Sequence, residues 1–137
     1  MLELHNILAQ NVEAVKRIPA EARFELLTTL ALETGGYVHM PDTHNTWDAQ
    51  DFQIKAQGVF GWGTAREDAV RMWIKCATRD AARLDRLAKA QAVLDQPDEF
   101  EPWFLKSACK TILSDSRDAA IRDAAKTQLA QINAVAA

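Results

Sequence analysis

At 137 residues the chain is long enough to bury the core of one compact domain without disulfide or metal staples. Its 48% hydrophobic residues exclude a disordered segment, and no apolar run approaches the roughly 18 to 20 residues that a membrane span needs. The net charge of -3 argues against a surface built wholly to attract nucleic acid or anionic lipid, because that affinity needs a basic excess.

From the N-terminus, Leu4, Ile7, Leu8, Val12 and Val15 recur at helical spacing over residues 3–17, with Glu13, Lys16 and Arg17 on the other side. An amphipathic helix is expected there. Pro19 stands where a second helix would begin, and Leu26, Leu27, Leu30 and Ala31 continue a buried stripe as far as Gly35-Gly36, which suits a left-handed cap. The two helices make a hairpin.

From Tyr37 to Gly63 the period changes. Tyr37-Val38-His39 reads as a short strand ahead of Met40-Pro41, and Asp42 to Gln50 is rich in turn formers. Phe52, Ile54 and Ala56 alternate with Gln53, Lys55 and Gln57 as a half-buried strand does. Gly58 either turns the chain so that Val59-Phe60-Gly61-Trp62 pairs back, or bends one unbroken strand.

Thr64-Ala65-Arg66-Glu67 has the letters of a capping box, with Thr hydroxyl and Glu carboxylate satisfying orphan amides reciprocally. The helix it opens carries Val70, Trp73, Ala77, Ala81, Leu84 and Ala88 to about Asp95, with a kink allowed at Thr78-Arg79-Asp80 and a stop at Pro97. Pro102 opens a fourth helix over Trp103 to Leu113, whose apolar set is Trp103, Phe104, Ala108, Ile112 and Leu113. Ser114-Asp115-Ser116 caps a fifth, with Ile121, Ala125, Leu129 and Ile132 as its buried positions. The fold expected is α+β and predominantly helical: one domain over residues 1–137, about five helices, and a small antiparallel element of two or three strands between the second and third.

The strand, glycine turn and capped helix from Phe52 to about Arg79 resemble the last strand and helix of double-stranded-RNA-binding domains, and also the strand-helix unit of HicB-type antitoxins. The resemblance covers under a quarter of the chain. Glu67 and Asp68 stand where RNA-binding domains carry a lysine cluster, so it implies shared local architecture and membership of neither family.

Candidate sites are few. His39, Asp42 and His44 bring together residue types that bind zinc or a similar ion, and His44 with Asp48 has the makings of a base and its orienting carboxylate. A polar loop uses the same letters for backbone reasons, and no metal or other cofactor is expected. Gly61-Trp62-Gly63 before a helix invites a phosphate-binding reading, but the third glycine of the dinucleotide fingerprint would fall at Arg66, and a tight strand-to-helix turn explains the motif more simply. Ser107-Ala108-Cys109-Lys110 matches S-x-x-K without its companion elements, and Cys109 reads as a buried small hydrophobe.

Arg71, Lys75, Arg79 and Arg83 recur every fourth residue as a basic ridge, extended by Arg86 and Lys89. The net charge of -3 conceals this ridge, since residues 1–63 sum to -4 and residues 64–137 to +1. Such a ridge either contacts phosphates or an acidic partner, or is an ordinary solvated face. The tryptophans Trp47, Trp62, Trp73 and Trp103 are each expected in the core or at its edge; Trp47 and Trp62 have loop or strand-end contexts in which an exposed indole is a binding anchor.

Cys76 and Cys109 form no C-x-x-C pair, and Met1-Leu2-Glu3-Leu4-His5 is no apolar leader, so a reduced, cytoplasmic protein is expected. The preferred function is a small non-catalytic interaction or regulatory module, an accessory or inhibitor protein able to self-associate. It would bind a protein partner through Trp47, Trp62, Arg71, Lys75, Arg79 and Arg83. One alternative is nucleic-acid binding by the ridge, and another a metal-dependent or His/Asp acid-base enzyme in the 39–48 loop.

Overall fold

The computed structural model describes residues 4–42, 44, 47 and 50–136. The order is α1 (Leu4–Arg17), α2 (Ala20–Glu33), β1 (Tyr37–His39), β2 (Phe52–Ala56), β3 (Val59–Gly63), α3 (Arg66–Asp95), a 3-10 turn at Pro97–Glu99, α4 (Pro102–Asp115) and α5 (Ala119–Ala136). This is the mostly helical α+β arrangement expected, with an antiparallel sheet of order β1-β2-β3 between the second and third helices. The chain divides into two compact units, residues 1–82 and 83–137, and α3 supplies residues to both.

In the first unit, Leu8, Val12 and Val15 of α1 and Leu27 and Ala31 of α2 are buried, as their spacing requires. The Leu4 side chain lies outside the described residues. α2 closes at Gly35-Gly36, where the Gly36 N–H donates to the Ala31 carbonyl at 2.8 Å, the longer bond of a Schellman closure. Beyond β2 the chain turns back as a hairpin. Gln57 (φ 51°) and Gly58 (φ 73°) both lie in the left-handed region, the two-residue connection whose twist matches paired strands. The Gln57 N–H donates to Thr34 Oγ1 at 2.8 Å, and the Asn11 amide donates to the Gln57 side chain, which ties this turn to both helices.

α3 begins one residue later than the capping box requires. Ala69 N–H donates to the Ala65 carbonyl, so Ala65 opens the helix, and the Thr64 hydroxyl reaches Asp68 Oδ2 at 3.3 Å instead of capping reciprocally with Glu67. The helix is unbroken through Thr78-Arg79-Asp80. Trp73 is fully buried and its indole N–H donates to the Ala56 carbonyl at 3.1 Å, so the largest core side chain also satisfies its one polar atom.

In the second unit the core is Ala90, Leu94, Leu105, Ala108, Cys109, Ile112 and Ala125, with Leu113, Leu129 and Ile132 packed against it. The apolar phase of α4 differs from the expected one. Leu105 faces inward beside Cys109, which is buried as expected, while Trp103 is 67% exposed and Phe104 39%. The cap of α5 differs as well. Asp118 Oδ1 accepts from the N–H groups of Ala120 and Ile121 at 2.9 and 3.2 Å, so the helix starts after Asp118, not at Ser114-Asp115-Ser116, and Ile121 emerges to 43% exposure.

Candidate protein-interaction surface

Side chains alternate across a strand, so the pairing register decides which residues share a face. Val38 pairs with Ile54 and Ile54 with Gly61, which puts Val38, Ile54, Ala56, Val59 and Gly61 on one face. That face is packed: Ile54 and Ala56 are fully buried and Val59 is 3% exposed. The opposite face carries two rows, Tyr37–Lys55–Phe60 and His39–Gln53–Trp62. There Lys55 is exposed, Tyr37 is 45% exposed and Trp62 43%. Phe60 and Trp62 stack with centroids 5.3 Å apart and planes 22° apart, so β3 presents one rigid aromatic block.

The close approach of α3 accounts for the glycine at position 61. A Cβ on Gly61 would stand 2.5 Å from the Ala69 carbonyl oxygen and 2.7 Å from Trp73 Cβ, so the helix lies directly on the strand. The Gly61-Trp62-Gly63 motif thus serves helix packing on one face and displays an indole on the other.

Behind the sheet, Phe24, Glu25, Met40, Arg66, Glu67 and Val70 line a groove of about 430 Å³. The Arg66 guanidinium sits 5.1 Å from the Phe24 ring centroid and 5.9 Å from that of Phe52, a stacked cation whose position is set by the two rings. Exposed carboxylates of Glu21, Glu25 and Glu67 share the groove, so its charge has no single sign.

The ridge on α3 is shorter than its spacing suggests. A step of four residues advances a helix by about 40°, so a row of such steps drifts around it. Arg71, Lys75 and Arg79 are exposed, with Arg71 3.3 Å from Asp68 Oδ1. Arg83, half-buried, donates from Nη1 to the Asp115 carbonyl at 3.2 Å, and Arg86 pairs with the Asp115 carboxylate at 2.8 Å. Arg83 and Arg122, which donates to the Leu113 and Ser116 carbonyls, satisfy carbonyls that end α4, while Arg86 is held by the Asp115 side chain.

In the 39–48 loop His39 lies on β1, half-buried, and Asp42 and His44 are exposed. Asp42 Oδ1 accepts from the His44 N–H at 2.9 Å, an Asx turn that occupies the carboxylate locally. Among the described residues no group of three or more His, Cys, Asp or Glu side chains is placed to hold a metal ion. Asp48, the other half of the acid-base pair, lies outside the described residues. Trp47 is 96% exposed, against the expectation that it reaches the core or its edge. Cys109 is fully buried in the second unit, and desolvation pushes its thiol pKa up, which suppresses the thiolate.

Two residues of the open face, Tyr37 and Phe60, escape a reading that treats motifs one at a time. The alternation of Phe60, Gly61 and Trp62 holds the signal. If glycine faces a helix, both aromatics must face away from it. Comparison of the chain with protein-family models, with curated proteins and with solved structures finds no match. Among the described residues no helix is long and apolar enough to cross a membrane.

Proposed function

We propose that the chain is a small non-catalytic protein-interaction module that engages another protein through the open face of its sheet. The observation that carries this reading is the exposure of Tyr37 and Trp62, nearly half of each residue, on a sheet whose opposite face is buried at Ile54, Ala56 and Val59. Interface hot spots favour such aromatic anchors, held rigidly so that little side-chain entropy is lost on binding. Charge favours a protein over a nucleic acid: residues 1–82 carry eight Lys and Arg against eleven Asp and Glu, and the face contributes Lys55 as its lysine. Neither cysteine is in a disulfide, which suits a reducing compartment such as the cytoplasm.

The test is quantitative capture with the immobilised full chain. Tyr37→Ser with Trp62→Ser lowers recovery of the partner by about tenfold, the equivalent of 1.4 kcal/mol, while Arg71→Glu with Lys75→Glu and Arg79→Glu leaves it within about twofold. Recovery untouched by the first pair overturns the reading. A second reading, duplex nucleic acid along α3, is favoured by the exposure of Arg71, Lys75 and Arg79 on successive turns. Its signature is affinity that falls steeply with salt and is lost in the triple charge reversal.

A further inference from the structure

β3 is an edge strand, and the hairpin geometry settles which of its backbone groups are spent. In a two-residue hairpin the pair flanking the turn, here Ala56 and Val59, exchanges hydrogen bonds, and bonded and non-bonded pairs then alternate. Ile54 with Gly61 and Phe52 with Gly63 are therefore bonded pairs, whereas Lys55 with Phe60 and Gln53 with Trp62 are not. The N–H and C=O groups of Phe60 and Trp62 point away from β2. No other backbone or side-chain group of the described residues bonds to them. β3 also lacks the proline, lysine or other charge with which edge strands discourage pairing.

We propose that this edge receives an extended segment of the partner protein as a fourth strand, antiparallel or parallel to β3. The proposal rests on the reading of the open face as a protein-binding surface and names the form the partner takes there. A second copy of the chain does not fit this edge through its own β3. Paired strands lie about 4.8 Å apart, whereas packed helices need 8 to 10 Å between their axes. Because α3 lies directly on Gly61, pairing β3 with itself would drive the two α3 helices into each other. A bare strand brings no helix with it. On the outer side its side chains meet the stacked Phe60 and Trp62, which favours β-branched or aromatic residues; on the inner side α3 leaves room for small ones. The excess of acidic over basic residues in residues 1–82 favours a segment that is neutral to basic.

The experiment is residue-resolved amide exchange on the full wild-type chain, with a Lys-flanked peptide of alternating valine and serine as probe. Its counterparts are the same peptide N-methylated along one edge or the other, and a Glu-flanked version. The expected result is at least tenfold slower exchange at the Phe60 and Trp62 amides, with one N-methylated form abolishing the effect and the Glu-flanked form weakening it. Unchanged exchange overturns the proposal, as does slowing that both N-methylated forms preserve. Protection that grows with chain concentration in the absence of peptide also overturns it, because the occupant is then a second copy. Capture that depends on Tyr37 and Trp62 while these amides stay unprotected sinks the strand-addition model alone; loss of that dependence sinks the face.

Discussion

The two sides of the sheet are made from the same strands, residue by residue in alternation, and they have opposite fates. On one side Ile54, Ala56 and Val59 are almost wholly buried and Trp73 of α3 is sealed in with its indole N–H bonded to Ala56. On the other, Tyr37 and Trp62 keep nearly half their surface. Burial of an aromatic side chain stabilises a fold in proportion to the area removed from water, so the first face holds the unit together. The second contributes less to stability and has area left for a partner. A tryptophan is therefore informative only once its face is known.

Truncating one tryptophan on each side separates the two faces most sharply. Trp73→Ala is expected to cost about 3–5 kcal/mol in urea denaturation, whereas Trp62→Ser, which gives up only part of a buried indole, is expected to cost about 1–2. Equal losses would mean that the outer face is also structural. The close approach of α3 gives a smaller effect. Gly61→Ala is expected to cost about 1–3 kcal/mol, because its methyl group meets helix backbone that moves only with the whole of α3. A neutral Gly61→Ala, measured in the same way, would show that α3 does not rest on the strand.

The smallest effect comes from the second unit, where Cys109 is fully buried while Trp103 stands exposed. Burial raises the Cys109 pKa in the folded state, so below the unfolded value, about 8.5, the thiol is neutral in both states and its burial costs nothing extra. As pH rises past that value the unfolded chain ionises first, and stability falls. Cys109→Ala removes that part of the slope. Denaturation curves of the two proteins at pH 7 and pH 10 that differ by the same amount would contradict it.

Much of the fold is legible in the sequence where local chemistry is decisive. The closure of α2 at Gly35-Gly36 follows from a backbone requirement that few other residues meet, whereas Gly58 suits a turn or a bent strand equally and only the pairing of β2 with β3 makes it a hairpin. The fourth helix is harder to phase. Trp103-Phe104-Leu105 offers three adjacent apolar residues, a helix turns 100° at each, and only contacts made elsewhere in the second unit choose Leu105 for the core. Ser116 and Asp118 are both competent caps, and the choice between them rests on where α4 ends. The candidate surface is half legible. Trp62 is visible as a strand-end indole, but Tyr37 joins it only through the register that pairs both outer strands with β2. The basic ridge is legible as spacing, yet Arg83 is drawn to the carbonyls that end α4, a demand no local pattern announces.

Site-specific photocrosslinking in cells tests whether the open face of the sheet binds a protein. The reactive group is p-benzoylphenylalanine, placed at Tyr37, on the strand opposite β3, or at Trp103 as an exposed aromatic elsewhere in the chain. A discrete protein adduct is expected from position 37, and it disappears when Trp62→Ser is added. No adduct from position 37, with one formed from position 103, would contradict it.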